Sequence, residues 1–116
     1  MTPELKVKWV EALRNGKYEQ TAGVLCDGRG GFCCLGVLSE VVGDEHWDGR
    51  LWENFDEEEE NFTGQRFEVE ELPKYALSLV GLTDSQQRLL ASMNDGSEAL
   101  KAHSFEEIAD YIEKEL

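Results

Sequence analysis

Five carboxylates follow one another without interruption from Asp56 to Glu60. Like charges this close repel each other and cannot be buried together, so any fold of this chain must hold the run at its surface. The run is the densest part of residues 44–71, which carry twelve acids and two bases, in a chain of formal net charge -14. Most of the excess negative charge is therefore concentrated in one middle segment.

This middle segment also lacks helical or strand periodicity between residues 44 and 66, although it contains large apolar residues. We therefore expect a long acidic, aromatic-containing loop at about 44–66 within a single domain of residues 1–116. Its aromatic side chains either act as exposed interface anchors or hold the loop to the core. The candidate partner-binding residues are the aromatic and acidic side chains of the loop: Trp47, Trp52, Phe55, Asp56, Glu57, Glu58, Glu59 and Glu60.

The charge of this loop limits its partners. Phosphate repulsion opposes direct binding of DNA or RNA by an acidic surface. A basic protein surface is favoured instead, including one that normally holds nucleic acid, so that the acids would mimic a phosphate backbone. A solvated insertion that aids solubility is the other interpretation, and both stay open at this point.

Helical patterns begin at the amino terminus. Leu5, Trp9 and Leu13 recur at four-residue steps and predict one apolar helix face. Thr2-Pro3 is typical of a helix start, and Asn15-Gly16 is typical of a helix end. The chain therefore opens with a well-marked helix.

Glycine-rich residues 27–31 separate two predicted strands, Thr21–Leu25 and Phe32–Cys33, which we expect to pair as an antiparallel hairpin. The spacing of apolar residues then predicts a helix from Leu35 that Gly43 ends. A third strand is predicted over Arg66–Val69.

Three short helices are predicted in the last part of the chain. Leu72-Pro73 begins the first, and two capping boxes, Thr83 with Gln86 and Ser104 with Glu107, begin the others. Asn94-Asp95-Gly96 is expected to end the middle one. The expected fold class is α+β, with a small antiparallel hairpin or three-stranded sheet packed by four or five short helices.

Cys26, Cys33 and Cys34 are an odd number of thiols with two of them adjacent, which favours reduced cysteines in a cytosolic protein over a disulfide framework. The amino terminus lacks an apolar signal core, and no apolar run approaches the ~20 residues of a membrane span. We therefore expect a cytoplasmic protein in the host cell. No motif indicates a metal or a cofactor, so neither is expected.

Four segments together resemble a group of small uncharacterised proteins of bacteriophages and prophages. They are Trp9–Gln20, the Phe-Cys-Cys-Leu-Gly-Val-Leu block of Phe32–Leu38, the Leu-x-x-x-Asn-Asp turn of Leu90–Asp95, and the helix Phe105–Glu113. The resemblance covers nearly the whole chain except its acidic middle. It implies viral or prophage origin and supplies no activity, although small phage proteins often bind and disable a host factor.

Cys33 and Cys34 form the first candidate for chemistry, because a thiol at a helix start is favoured as thiolate and can act as a nucleophile. An enzyme of this kind needs a base, for which His103 is the candidate, with His46 as a further choice. Buried core cysteines are the competing interpretation.

The second candidate is an anion-binding or nucleotide-like ligand site at the end of the first helix. The competing interpretation is a set of helix-end cations and a turn. The candidate ligand-binding residues are Arg14, Lys17, Tyr18 and Gln20, with Asn94 and Asp95.

The function predicted first is therefore a non-enzymatic, phage-derived acidic binding protein that inhibits or redirects a host factor, for example a defence component. No membrane or direct nucleic-acid contact is expected, and the oligomeric state is open. The alternatives are a protein that sequesters a nucleotide-like signal, a cysteine-nucleophile enzyme and a phage assembly protein.

Overall fold

The computed structural model describes residues 1–56, 58–67, 71–96 and 101–116, with residues 64–67 described by their backbone. This part of the chain is an α+β fold of five helices and two separate two-stranded sheets, which confirms the expected class. In chain order the elements are α1 (Pro3–Arg14), β1 (Glu19–Gln20), β2 (Gly31–Phe32), α2 (Cys34–Val42), β3 (Trp52–Asp56), β4 (Asn61–Phe67), α3 (Lys74–Val80), α4 (Asp84–Asp95) and α5 (Phe105–Glu115).

The helices form the core around α2, which packs against α1 and α4, while α1 also packs along α5. The four-residue stripe of α1 places Trp9 in this core without exposed surface, as predicted. Its indole Nε1 donates a hydrogen bond of 2.9 Å to the backbone oxygen of Cys34. On α5, Ile108, Ala109 and Ile112 are likewise fully buried.

Local capping chemistry sets most helix starts and ends. Thr2 caps α1, and both predicted capping boxes are present, at Thr83 for α4 and Ser104 for α5. Gly43 and Gly81 end α2 and α3 in the left-handed conformation that glycine adopts without steric cost. The turn predicted at Asn94-Asp95-Gly96 begins two residues later, since α4 continues through Asp95 and Gly96 is its cap.

A close approach at Gly36 joins α2 to the preceding loop. A Cβ atom at this position would lie 1.8 Å from the backbone oxygen of Leu25, far inside van der Waals contact. Only glycine therefore lets α2 pack directly against the Leu25 backbone.

The predicted hairpin of Thr21–Leu25 with Phe32–Cys33 is wrong as a pair of strands, although the Cys33 N–H does bond the Leu25 backbone oxygen at 3.1 Å. The strand before the loop is β1, two residues earlier, and it pairs with β2 in parallel. Gly23 has a φ of +81° and reverses the chain, so that Cys26 then meets Phe32 in an isolated antiparallel bridge. The glycine inside the predicted strand is the reason that the strand does not form.

The loop expected at about 44–66 contains an antiparallel hairpin whose register shifts between Glu53 and Phe55. β3 and β4 are antiparallel, with Phe55 opposite Phe62 and Asp56 opposite Asn61. The strand predicted at Arg66–Val69 therefore begins earlier, at Asn61, and its residues 68 and 69 lie outside the described residues. Among the described residues, each helix is too short or too polar to span a bilayer.

Candidate functional site

The acidic run forms the turn of the β3–β4 hairpin. Asp56 closes this turn because its Oδ1 accepts backbone N–H hydrogen bonds from Glu58 at 2.9 Å and Glu59 at 3.3 Å. Glu60 adopts a positive φ of 54°, and Glu58, Glu59 and Glu60 are exposed. We call Asp56, Glu58, Glu59 and Glu60 the acidic tip; Glu57 lies outside the described residues.

Aromatic rings support the hairpin below the acidic tip. Phe62 stacks on the His46 ring with centroids 3.4 Å apart, and its edge contacts with Phe55 and Tyr75 are 5.2 and 4.9 Å. His46 Nδ1 also lies 2.9 Å from Glu53 Oε2. These rings are half-buried, so the hairpin is packed onto the domain rather than extended into solvent.

Trp47 and Trp52 are buried, so the structure contradicts their interpretation as exposed interface anchors. Trp52 has no exposed surface and donates its indole N–H to Ser39 Oγ at 2.9 Å. Trp47 is 8 % exposed and donates to Glu40 Oε1 at 3.1 Å. Both indoles satisfy their polar group inside the fold, which is the usual requirement for burying tryptophan, and they hold the segment to the core.

A cleft of about 660 Å³ opens beside the hairpin, between β3 and the start of α3 and α4. Its floor is apolar, with Leu72, Leu77 and Leu82, while Phe55 and Tyr75 form part of its wall. Its volume is in the range of ligand-binding pockets, and its apolar floor is surrounded by polar and charged side chains. Sequence reasoning missed this cleft, because its lining residues come from three separate elements.

The Tyr75 side chain beside this cleft is tied to the acidic segment. Its hydroxyl donates a hydrogen bond of 3.3 Å to Asp44 Oδ1. The pKa of Tyr75 is raised, first by burial and then by the negative charge of Asp44. The phenol is therefore neutral at physiological pH and serves as a donor.

A second cluster of candidate residues lies around Asn94, near the carboxyl-terminal end of α4, whereas the cleft adjoins the start of that helix. The Asn94 Oδ1 accepts from the Cys34 backbone N–H at 3.2 Å and from Gln20 Nε2 at 2.9 Å, while its Nδ2 donates to the Thr21 backbone oxygen at 2.8 Å. Gln20 also bonds the backbone of His103 and Phe105. This network, which we call the Asn94 network, joins α2, α4 and the start of α5.

The thiols are placed for packing. Cys33 is 2 % exposed and Cys34 is not exposed, and Cys34 Sγ donates to the Leu90 backbone oxygen at 3.6 Å. Burial raises the pKa of Cys33 to about 11, and it raises the pKa of Cys34 well above its ordinary value. Both thiols are therefore protonated at neutral pH, whereas a cysteine nucleophile needs the thiolate.

The two candidate bases for a cysteine nucleophile, His103 and His46, lie in different parts of the fold. His103 has a buried Nδ1 with no hydrogen-bond partner among the described residues, and its backbone oxygen accepts from Gln20. His46 belongs to the aromatic rings under the acidic tip, so it is not part of the Asn94 network. Cys26, Cys33 and Cys34 are all buried free thiols.

The six candidate ligand-binding residues do not form one anion site. Arg14 makes hydrogen bonds and ion pairs with Asp110 and Glu113 of α5, and these two carboxylates raise its pKa. Lys17 lies over the Tyr18 ring at 5.5 Å. Tyr18 itself packs edge-on against Phe32, with ring centroids 5.2 Å apart.

The remaining three residues, Gln20, Asn94 and Asp95, bond to other parts of the chain, although Asn94 alone of the three is buried. The amide groups of Gln20 and Asn94 bond each other and backbone atoms, and Asp95 Oδ1 accepts from Asn94 Nδ2 at 2.9 Å. An anion would therefore have to displace internal hydrogen bonds. Within the described residues, no three His, Cys, Asp or Glu side chains converge in the way that a metal ion requires.

The fold and surface together define a small α+β domain with an acidic hairpin and an adjoining cleft. The chain belongs to the family described as Domain of unknown function (DUF8296), which matches it over residues 1–116. No curated protein and no solved structure matches the chain.

Proposed function

We propose that this chain is a non-enzymatic, phage-derived acidic binding protein that inhibits or redirects a host factor by docking its acidic tip on a basic protein surface. The observation that carries the proposal is the exposure of Glu58, Glu59 and Glu60 on a hairpin turn that is held in place by Asp56. Acidic surfaces attract basic partners and accelerate their encounter. The resemblance to phage and prophage proteins supports the host setting.

The architecture of the hairpin supports binding rather than solubility alone. A solvated insertion needs no fixed shape, whereas this turn has defined hydrogen bonds and rests on the stacked rings of His46 and Phe62. Preorganised charges lose less entropy on binding than mobile ones. The acidic tip therefore presents its carboxylates at a defined position on the domain.

The experiment is capture of host proteins from a bacterial lysate by the tagged chain, compared with a variant carrying E58Q, E59Q and E60N. Asparagine is used at position 60 because it tolerates the positive φ of Glu60. We expect one basic host protein to be retained by the unchanged chain and captured about tenfold or more weakly by the variant, because several charge contacts are lost together. High salt should weaken the same capture through screening.

The matched control carries E11Q, E19Q and E115Q, which remove the same number of charges from exposed positions elsewhere. It should retain the partner like the unchanged chain, because the net charge is equal to that of the tip variant but the tip is intact. Equal retention by the tip variant and the unchanged chain would contradict the proposal. Equal loss in both variants would indicate a response to net charge rather than to the tip.

A further inference from the structure

The cleft beside β3 and the acidic tip lie next to each other along one strand. We propose that the two together bind an extended basic segment of the partner: one bulky apolar side chain of the segment enters the cleft, and lysine or arginine residues a few positions away contact the acidic tip. This inference rests on the proposed function and names the chemistry of the partner.

The cleft has the size and floor that an apolar side chain requires. Its volume is about 660 Å³, and its floor is made by Leu72, Leu77 and Leu82, each of which is less than 10 % exposed. These leucines are already packed against the core, so the floor does not have to rearrange before binding. Pro73 adds a rigid apolar edge.

The Gln87 side chain makes the floor rigid. Its Oε1 accepts from the Leu72 backbone N–H at 2.8 Å, and its Nε2 donates to Asp84 Oδ1 at 3.1 Å. Gln87 is 2 % exposed, and both ends of its amide are satisfied within the fold. The polar groups at the bottom of the cleft are thus occupied internally, which favours an apolar occupant over a polar ligand.

The position of β3 connects the cleft to the acidic tip. Asn54 and Phe55 line the cleft, and the next residue, Asp56, begins the turn. A strand advances about 3.3 Å per residue, so a bound segment reaches from the cleft to Glu58–Glu60 within roughly two to five of its own residues. The anchor and the basic residues must therefore be close together in the partner sequence.

Charge complementarity indicates that the partner residues beside the apolar side chain are basic. Glu71 lies on the rim of the cleft and adds to the negative charge of the tip, whereas Lys74 is the one base among the residues described along the cleft. Asp84, also on the rim, is paired with Arg88 at 2.9 Å. An acidic segment would meet like charge at both ends of this surface, so a basic segment is the matching occupant.

The first test uses peptides and leaves the protein unchanged. Three synthetic peptides of about 15 residues are compared by NMR titration of the whole isotope-labelled chain. The first has a central Leu followed by four Lys or Arg residues, the second has Ser in place of Leu, and the third has Glu in place of the basic residues. We expect the first peptide to shift the amides of Asn54, Phe55 and residues 74–78, and to bind about tenfold or more tightly than the second.

The second test blocks the cleft from the protein side. Ser78 is an exposed cleft residue on α3, so S78W should fill the cleft and weaken the first peptide about tenfold or more, down to the level of the serine peptide. The matched control is L79W on the same helix, since Leu79 is 43 % exposed and does not line the cleft. L79W should bind the first peptide like the unchanged chain.

The possible outcomes distinguish failure of the cleft proposal from failure of the proposed acidic-tip function. Equal binding of the leucine and serine peptides, with both lost in the E58Q/E59Q/E60N variant, would overturn the cleft proposal and leave the acidic-tip function standing. Failure of the basic peptides to bind, while the tip still captures a basic host protein, would also overturn it, since the occupant would not be a linear segment. Binding of the acidic peptide would contradict both proposals.

Discussion

The Asn94 network and the acidic hairpin use polar side chains in opposite ways. In the Asn94 network, the Asn94 amide is 3 % exposed and is bonded to the backbone of Thr21 and Cys34. At the acidic tip, Glu58, Glu59 and Glu60 are exposed, and Asp56 bonds the backbone of the turn it belongs to. The polar groups of the first region stabilise the fold, while those of the second remain accessible to a partner.

We therefore expect substitutions in the Asn94 network to lower stability, and substitutions in the acidic tip to weaken binding. Removing a buried amide leaves its backbone partners without hydrogen bonds, which lowers stability. Removing an exposed carboxylate changes stability little, because its surroundings are mainly water. Three predictions test the contrast, in order of decreasing effect on the free energy of unfolding.

The largest loss of stability is expected for G36A in α2, the helix that the Asn94 network holds through the Cys34 N–H. The added Cβ would lie 1.8 Å from the Leu25 backbone oxygen, so α2 must shift away from the chain that it packs against. We expect a loss of about 3 kcal/mol or more, measured by urea denaturation. The control is G16A, where a Cβ meets no neighbour and only the positive φ of 75° opposes alanine, at about 1–2 kcal/mol. Equal losses in the two variants would contradict the close approach.

Asn94→Leu should have the next largest effect. It removes the partner of the Cys34 N–H and of the Thr21 backbone oxygen, and leucine cannot replace either bond. We expect a loss of about 2–4 kcal/mol in urea denaturation, because each orphaned buried group costs about 1–3 kcal/mol. D95N is the control, since its side chain still offers an acceptor to Asn94 Nδ2, and it should stay within about 1 kcal/mol of the unchanged chain. A near-neutral Asn94→Leu would show that the network does not join the helices.

The E58Q/E59Q/E60N variant should change stability least, by less than about 0.5 kcal/mol, because the three side chains are exposed and Asp56 still closes the turn. Removal of three neighbouring like charges can even be slightly stabilising. Thermal unfolding of this variant beside the unchanged chain measures the effect. A loss as large as that of Asn94→Leu would assign the acidic tip a structural role and remove the contrast between the two regions.

Helix positions were predictable because their signals are local. Thr83 with Gln86 and Ser104 with Glu107 form capping boxes within one turn, and these bonds depend on no distant residue. Strand pairing was predicted less well, because Gly23 has a positive φ inside the predicted strand Thr21–Leu25 and Cys26, beyond that strand, meets Phe32 instead. The pairing of β3 with β4 was missed, because its residues do not alternate between apolar and polar.

The candidate site divides in the same way. Exposure of the Asp56–Glu60 run followed from charge repulsion alone, and the described part of that run is on the surface. The burial of Trp47 and Trp52 could not be predicted from the sequence, because a tryptophan among acidic residues is compatible with an interface as well as with a core. Glu40 and Ser39 of α2, which accept their N–H groups, lie seven and thirteen residues earlier in the chain.

Local patterns were enough to predict the α+β class, most helix ends and the surface position of the acidic run, since each depends on periodicity, capping or repulsion between neighbours. The burial of the tryptophans, the packing of the Cys33 and Cys34 thiols and the cleft beside the acidic tip all required the folded structure. Those features depend on which elements pack together. The free energy of that packing comes from surfaces far apart in the chain, which no local pattern records.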